Sequence, residues 1–269
     1  MTTASSLPRW HLGPQALQRH LAALPLPAWR FYPVIASTND AGLAWADQGA
    51  AEGCLVLAEA QTQGRGRNGR RWWSAPRASL TMSLIVRPLP QEHAYLSRLT
   101  AWAAVALAET LEQKYHLQPA IKWPNDVLLN GRKVAGILAE TLWVGEKPHA
   151  MVVGIGVNLA TQAIPPKADF PATSLAHVLG APPDAWALLA ALLRRLLAWR
   201  YHLASTAFLK AWETRLAYRG EMVHINGRQA RLLGLDEQGG LRLRYLDGQT
   251  VSVYALPGHL RPAGSPTTT

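Results

Sequence analysis

The spacing of apolar residues changes several times along the chain, and each change marks an element. Leu96, Leu99, Ala103, Leu107 and Leu111 recur every three to four residues. That is the period of one helical face, and it predicts a long helix over 92–117. Residues 184–203 are apolar almost throughout and predict a buried helix, with a second helix running to about Tyr218. Residues 54–60, Ser79–Val86 and 151–157 are short apolar runs bounded by glycine or polar residues, the pattern of buried strands. The runs 127–129 and 134–143 flank Asn130-Gly131, a pair that supplies the positive φ angles of a two-residue hairpin turn. Ser37-Thr38-Asn39-Asp40 precedes an Ala- and Leu-rich stretch to Asp47 and offers side chains that cap a helix start. One further helix is expected over 15–24, inside an otherwise loose lead-in at 1–30.

After Gly220 the texture becomes β-like. The short runs Met222–Ile225, 231–235, Leu241–Tyr245 and 251–254 alternate with Asn226-Gly227, Gly239-Gly240 and Asp247-Gly248. This spacing predicts a small five-stranded, SH3-like β-barrel. The expected fold is therefore α+β. A mixed sheet packed with helices occupies 31–218, the barrel occupies 219–262, and a polar, disordered tail covers 263–269.

Composition narrows the function classes. Of 269 residues, 49% are hydrophobic and 16% charged, which excludes a disordered chain. The single Cys, Cys54, excludes an internal disulfide and a cysteine zinc cluster and fits a cytoplasmic protein. No stretch reads as a signal peptide or a membrane span. The net charge of +10 points to an anionic ligand, an acidic protein or nucleic acid; where the arginines sit must decide between them.

Four arginines sit in Gly64-Arg65-Gly66-Arg67-Asn68-Gly69-Arg70-Arg71-Trp72. Glycines leave backbone N–H groups open to a ligand, and the arginines set fixed cations beside them. Such a loop could close over a phosphate-bearing molecule, although a solvated basic loop has the same composition. It matches neither the phosphate-cradling nor the dinucleotide pattern. Lys122-Trp123-Pro124-Asn125-Asp126 breaks a strand at its proline. Lys133 follows the hairpin turn and leads into an apolar strand, where a lysine could hold a carboxylate or phosphate, or simply stay in solvent. In Gly154-Ile155-Gly156-Val157-Asn158 the glycines permit either close approach of a ligand or a β-bulge.

Together these strings, with Arg132–Glu140 of the hairpin (132–140) and Thr173-Ser174-Leu175, resemble the biotin protein ligases in order and approximate spacing over about 31–180. The resemblance implies a catalytic domain of the biotin/lipoate ligase type and a two-step reaction. Biotin is activated with ATP and Mg²⁺ as biotinyl-5′-AMP and is then transferred to a lysine of a biotin carboxyl carrier protein. It implies that Ser37, Thr38, Asn39, Gln61, Gly64, Arg65 and Gly66 meet the biotin head, with Trp72, Gly136, Leu138 and Gly154 completing the biotin site. Arg67 and Lys133 lie at the activated carboxyl and phosphate, and Asp126 beside the acceptor lysine. Arg65, Arg67, Trp72, Asn125, Lys133, Gly156 and Asn158 border the adenylate. The metal is expected on the ATP phosphates, with no dedicated protein ligands. The winged helix-turn-helix of regulatory members has no counterpart in the pattern, so no DNA partner is expected. Monomer and homodimer remain open. A lipoate ligase and a biotin-sensing nucleic-acid binder are the rival readings.

Overall fold

The computed structural model describes residues 13–168, 170–225, 227–256 and 260–263. The expected polar tail, apart from residue 263, and the first 12 residues of the lead-in lie outside the described residues. The chain runs α1 (Gly13–Leu21), β1 (Trp29–Ile35), α2 (Thr38–Asp47), β2 (Leu55–Gln61), β3 (Ser79–Val86), α3 (Ser97–Tyr115), β4 (Pro119–Lys122), β5 (Asp126–Leu129), β6 (Arg132–Val144) and β7 (Lys147–Asn158). Then follow α4 (Leu175–Leu179), α5 (Ala185–Trp199), α6 (Thr206–Thr214), β8 (Met222–Ile225), β9 (Arg228–Leu235), β10 (Leu241–Tyr245), β11 (Thr250–Val253) and β12 (Arg261–Pro262).

The first seven strands form one mixed sheet in the order β1-β2-β3-β7-β6-β5-β4. Only β1 and β2 are parallel, joined across α2; the other neighbours are antiparallel. Strand β1 begins inside the stretch read as lead-in. Its Pro33 argues against a central strand, but at a sheet edge one side of the strand needs no ladder, so a proline is tolerated.

Alternation along β3, β6 and β7 divides the sheet into two unlike faces. Leu80, Met82, Leu84 and Val86, Ala135 and Ile137, and Met151, Val153, Ile155 and Val157 are buried in the main core with Leu99, Trp102, Val105 and Leu111 of α3. The intervening residues are Ser79, Thr81 and Ser83, Gly136, Leu138 and Glu140, and Gly154, Gly156 and Asn158. They lie opposite one another in register (Ser83↔Gly154↔Leu138, Thr81↔Gly156↔Gly136). α2 sits over this second face. A Cβ on Gly42 would lie 2.8 Å from Val152 Cγ1, so glycine there lets the helix approach the strand.

The long predicted helix is shorter than its periodicity suggests. Residues Pro90–Tyr95 form a 3₁₀ turn, and α3 starts after Leu96. Glu92 turns back to accept the Leu89 N–H at 2.7 Å and also holds Arg200. The buried Arg200 donates to Glu92 Oε1 at 2.6 Å, Glu52 Oε1 at 2.7 Å and the Arg87 carbonyl at 3.1 Å. The end of α5 is thereby pinned to the other side of the core.

Strands β8–β12 form a five-stranded antiparallel sheet in the order β11-β10-β9-β8-β12. Its end strands β11 and β12 form no ladder with each other, so among the described residues the pairing does not close the expected SH3-like barrel. It does not stand apart. One hydrophobic cluster runs from Leu17 through α3 and α5 to Leu232, Leu243 and Leu260. Trp123 Nε1 donates to the Gly239 carbonyl at 3.0 Å, and Arg98 donates to the carbonyls of Leu203 and Glu237. No helix among the described residues is long and apolar enough to cross a membrane.

Removing one partner of a buried ion pair leaves the other charge uncompensated. Arg200→Ala should therefore lower the unfolding free energy by about 3–5 kcal/mol in urea denaturation. A loss under about 1 kcal/mol, the range of exposed pairs, would show that Glu92 is not held as a buried anion.

Candidate active site

A cavity of about 670 Å³ opens on the polar face of the large sheet. That is the size range of small-molecule sites. Every residue that the resemblance assigns to the biotin, adenylate or acceptor site lines it except Gly64. The lining has two ends of different chemistry.

At one end lies the start of α2. Ser37 Oγ accepts the Asp40 N–H at 3.4 Å. Gln61 Oε1 accepts from the Thr38 N–H at 2.7 Å and from its hydroxyl at 3.0 Å. Asn39 Nδ2 donates to the Leu138 carbonyl at 3.1 Å and to Glu140 Oε2 at 2.7 Å. Ser83 Oγ lies 2.7 Å from Thr38 Oγ1 and 2.6 Å from Asn39 Oδ1, and with one hydroxyl proton it donates to only one of them. This end is rich in neutral amides and hydroxyls.

The glycines on the strands keep the floor shallow. A Cβ on Gly154 would overlap Asn39 Oδ1, and one on Gly156 would overlap the indole of Trp72. A Cβ on Gly136 would lie 3.1 Å from Lys133 Nζ and 3.2 Å from the same indole. β7 runs through Gly154 and Gly156 without a register break, so close approach, not a bulge, accounts for both. Two buried polar atoms here, Trp72 Nε1 and Thr81 Oγ1, have no hydrogen-bond partner among the described residues. Leaving buried polar atoms unpaired costs stability unless a ligand completes them.

The other end is cationic. Two successive hairpins, β4–β5 and β5–β6, bring Lys122, Asp126 and Lys133 together. The second turns at Asn130 and Gly131, both with positive φ (50° and 71°), as Asn-Gly requires. Asp126, 3% exposed, receives Lys133 Nζ at 2.6 Å and Lys122 Nζ at 3.1 Å. Burial works to raise the Asp126 carboxyl, but Lys133 and Lys122 outweigh it and hold it below the ordinary carboxylate value. Burial pushes the Lys122 ammonium down to about 8, against the pull of Asp126. Lys122 also lies 3.5 Å over the ring of Phe170. Arg67, half-buried, faces the same carboxylate from the loop; burial lowers its pKa and the attraction of Asp126 opposes the shift.

The arginine loop is a tight hairpin. Trp72 N donates to Gly64 O at 2.9 Å and Gly66 N to Arg70 O at 2.7 Å. Asn68 and Gly69 turn the chain with positive φ. The Gly66 N–H is therefore already engaged. A Cβ on Gly64 would lie 2.7 Å from the Trp72 carbonyl, so this glycine serves the loop's own close packing. Asn125 is tied to β6 by Nδ2, which donates to Ile137 O at 2.8 Å, and Asn158 Nδ2 donates to Thr173 O at 3.0 Å. Leu256 and Leu260, from the connection between β11 and β12, close the wall.

The sequence matches the Biotin/lipoate A/B protein ligase family over residues 31–158. It is 37% identical to a biotin–[acetyl-CoA-carboxylase] ligase of Paracoccus denitrificans over 80% of this chain and 93% of that protein. It is 34% identical to the bifunctional ligase/repressor BirA of Bacillus subtilis over 81% of this chain and 70% of that one. The chain belongs to the biotin protein ligases. The fold is similar to the Aquifex aeolicus biotin protein ligase in complex with biotin and ATP, with a TM-score of 0.76, 27% identity, and coverage of 88% of this chain and 100% of that one.

In this ligase several groups in or beside the pocket are not marked out individually by the sequence. Ser83 and Thr81 sit in a strand that reads as uniformly buried, and Lys122 belongs to the Lys-Trp-Pro-Asn-Asp string without a role of its own. Glu140, which holds Asn39, reads as the polar alternate of a strand. Trp123, by contrast, is conspicuous in the Lys-Trp-Pro-Asn-Asp string; it lines the pocket, and its indole N–H is spent on the small sheet. Among the described residues no group of three His, Cys, Asp or Glu side chains could hold a metal. The Asp126 carboxylate is taken by two ammonium groups. Asp126 is thus already neutralised by lysines, and a Mg²⁺ beside it would take most of its ligands from ATP phosphates and water.

The Lys122 shift has a definite sign. Its folded pKa, about 8, lies below the ordinary 10.5. Between those values the unfolded chain holds more protons than the folded one, so raising the pH through that window favours folding. Below about 8 both states are protonated and the contribution is constant. Relative to Lys122→Met, the wild-type unfolding free energy should rise as pH climbs from about 8 towards 10.5. Urea denaturation at stepped pH checks this; a pH-independent difference between the two proteins would overturn it.

Proposed function

We propose that the protein joins biotin to ATP as biotinyl-5′-AMP and then passes the biotin to one lysine of a biotin carboxyl carrier protein in the cytoplasm. The observation that carries the reading is the two-ended cavity. The neutral amides and hydroxyls near the start of α2 suit the ureido ring of biotin, and the cationic end suits its carboxylate and the ATP phosphates. Lipoate has no ureido group to use the neutral end.

In the first step a biotin carboxylate oxygen attacks the α-phosphorus. The new C–O–P link forms as the bond from the α-phosphorus to the bridging oxygen breaks, and pyrophosphate leaves. Two anions must meet. A unit charge about 4 Å away is worth roughly 4 kcal/mol at an effective dielectric near 20, and Lys133 and Arg67 supply such charges in a water-poor site. ATP brings Mg²⁺ on its phosphates. Asn125, Gly156 and Asn158 border the nucleotide, and Trp72 covers the junction. In the second step the neutral amine of the acceptor lysine attacks the carbonyl carbon, the bond from that carbon to the phosphate oxygen breaks, AMP leaves and the amine proton passes to solvent. Asp126, a weak base between two ammonium groups, orients Lys133 and the incoming amine rather than taking the proton.

Three outcomes test this. Purified protein with ATP, Mg²⁺ and biotin should add one biotin to a carrier-domain lysine, measured by mass; lipoate transfer instead would overturn the substrate and leave the fold. Lys133→Ala should slow adenylate formation by at least ~10² in a pyrophosphate-release assay; near-normal release would remove Lys133 from the step. Arg67→Gly should form adenylate yet lose it, labelling bystander proteins. If such labelling stays absent while adenylate accumulates, Arg67 does not retain it.

A further inference from the structure

We infer that Glu140 is a positioning residue that locks the arginine loop and the ligand-facing amide of Asn39 to the same point of β6. The inference rests on the ligase reading above. Arg65 Nη2 lies 2.9 Å from each Glu140 oxygen. Glu140 Oε2 also accepts from Asn39 Nδ2 at 2.7 Å. A single carboxylate thus holds the loop with one set of contacts and the recognition helix with another.

The second contact fixes which way Asn39 faces. Its amide nitrogen donates to both Glu140 and the Leu138 carbonyl, so both of its protons are spent on β6. Oδ1 is left to point across the floor towards Ser83 and Gly154. Were Glu140 lost, one of these protons would have no partner and the amide could turn.

The first contact holds the loop. Arg65 Nη1 also meets Asp40 Oδ1 at 2.5 Å, but both of those side chains are more than a third exposed. Glu140 is the less exposed of the two partners, 28% against 46% for Asp40, and both of its oxygens meet Nη2. Neither Arg67 nor Arg70 makes an ion pair among the described residues, so Arg65 is the loop's ionic tie to the sheet. Closure of the loop and orientation of Asn39 therefore depend on the same carboxylate through separate contacts, the loop on its charge and Asn39 on an acceptor oxygen. A ligand that orders Asn39 also favours the closed loop, and the closed loop retains the adenylate.

The test uses the full chain with Glu140→Ala and Glu140→Gln. Amide hydrogen exchange over residues 64–72, without ligand, should speed up by ~10-fold or more in both variants, since each loses the charge that holds Arg65. Release of biotinyl-5′-AMP in a chase should quicken by a similar factor in both. Biotin affinity should fall in Glu140→Ala and recover in Glu140→Gln, whose amide oxygen still accepts from Asn39. A residue needed only for folding would not divide the two readouts in this way. Wild-type exchange rates in the loop of Glu140→Ala would overturn the latch. Equal biotin affinities in the two variants would overturn the coupling to Asn39. Absence of adenylate in the wild type would instead overturn the functional reading, with the exchange result still deciding the latch.

Discussion

A β-strand sends successive side chains to opposite sides, and β3, β6 and β7 spend that alternation on two incompatible tasks. One side must bury leucine, isoleucine and valine against α3. The other must let α2, the loop tryptophan and a ligand come down almost to the backbone. Both can be met only if every second residue on the open side is glycine, a small hydroxyl or a group with a partner waiting for it. Gly154 under Asn39 and Gly156 under Trp72 leave no space for even one methyl group. A one-residue slip of β7 would set Ile155 beneath the ligand and a glycine into the core, so the register of the sheet and the shape of the site are one requirement.

The second requirement is charge. A cationic end that draws two anions together must not repel itself apart before they arrive. Asp126 meets this by standing between Lys122 and Lys133, so that three buried or half-buried charges carry a net charge of plus one instead of the plus two of the lysines alone. The same logic recurs at Arg200, where Glu92 and Glu52 surround one guanidinium, and at Arg65 with Glu140 and Asp40. At Arg200 and Arg65 the signs are reversed, one cation held by two carboxylates from distant parts of the chain.

Much of this was open to inspection in the sequence, for reasons that differ by element. The period of α3, the runs of β3 and β7, and the Asn130-Gly131 turn follow from local chemistry and appear where local chemistry puts them. Lys133 and the arginine loop stand out because charges and glycines interrupt apolar context. Ser83 and Thr81 do not stand out, since a hydroxyl in a buried strand looks the same whether it meets a ligand or a neighbour. Lys122 and Glu140 stand in strings that mark the family, but their individual roles come from partners four and 101 residues away, Asp126 and Asn39. Strand β1 follows no clear alternation and carries Pro33, which is disallowed in a central strand and permitted at an edge. The small sheet was read correctly as β-rich, but short strands and frequent turns do not reveal whether the ends of a sheet meet.

Trp123 links the two sheets through its indole N–H and the Gly239 carbonyl, while Leu256 and Leu260 reach back to wall the cavity. With one hydrophobic cluster spanning both sheets, neither has a core that closes without the other. Their stabilities are therefore not separate quantities. A substitution that loosens one sheet strips packing from the other, and a ligand held in the cavity between them adds to the stability of both.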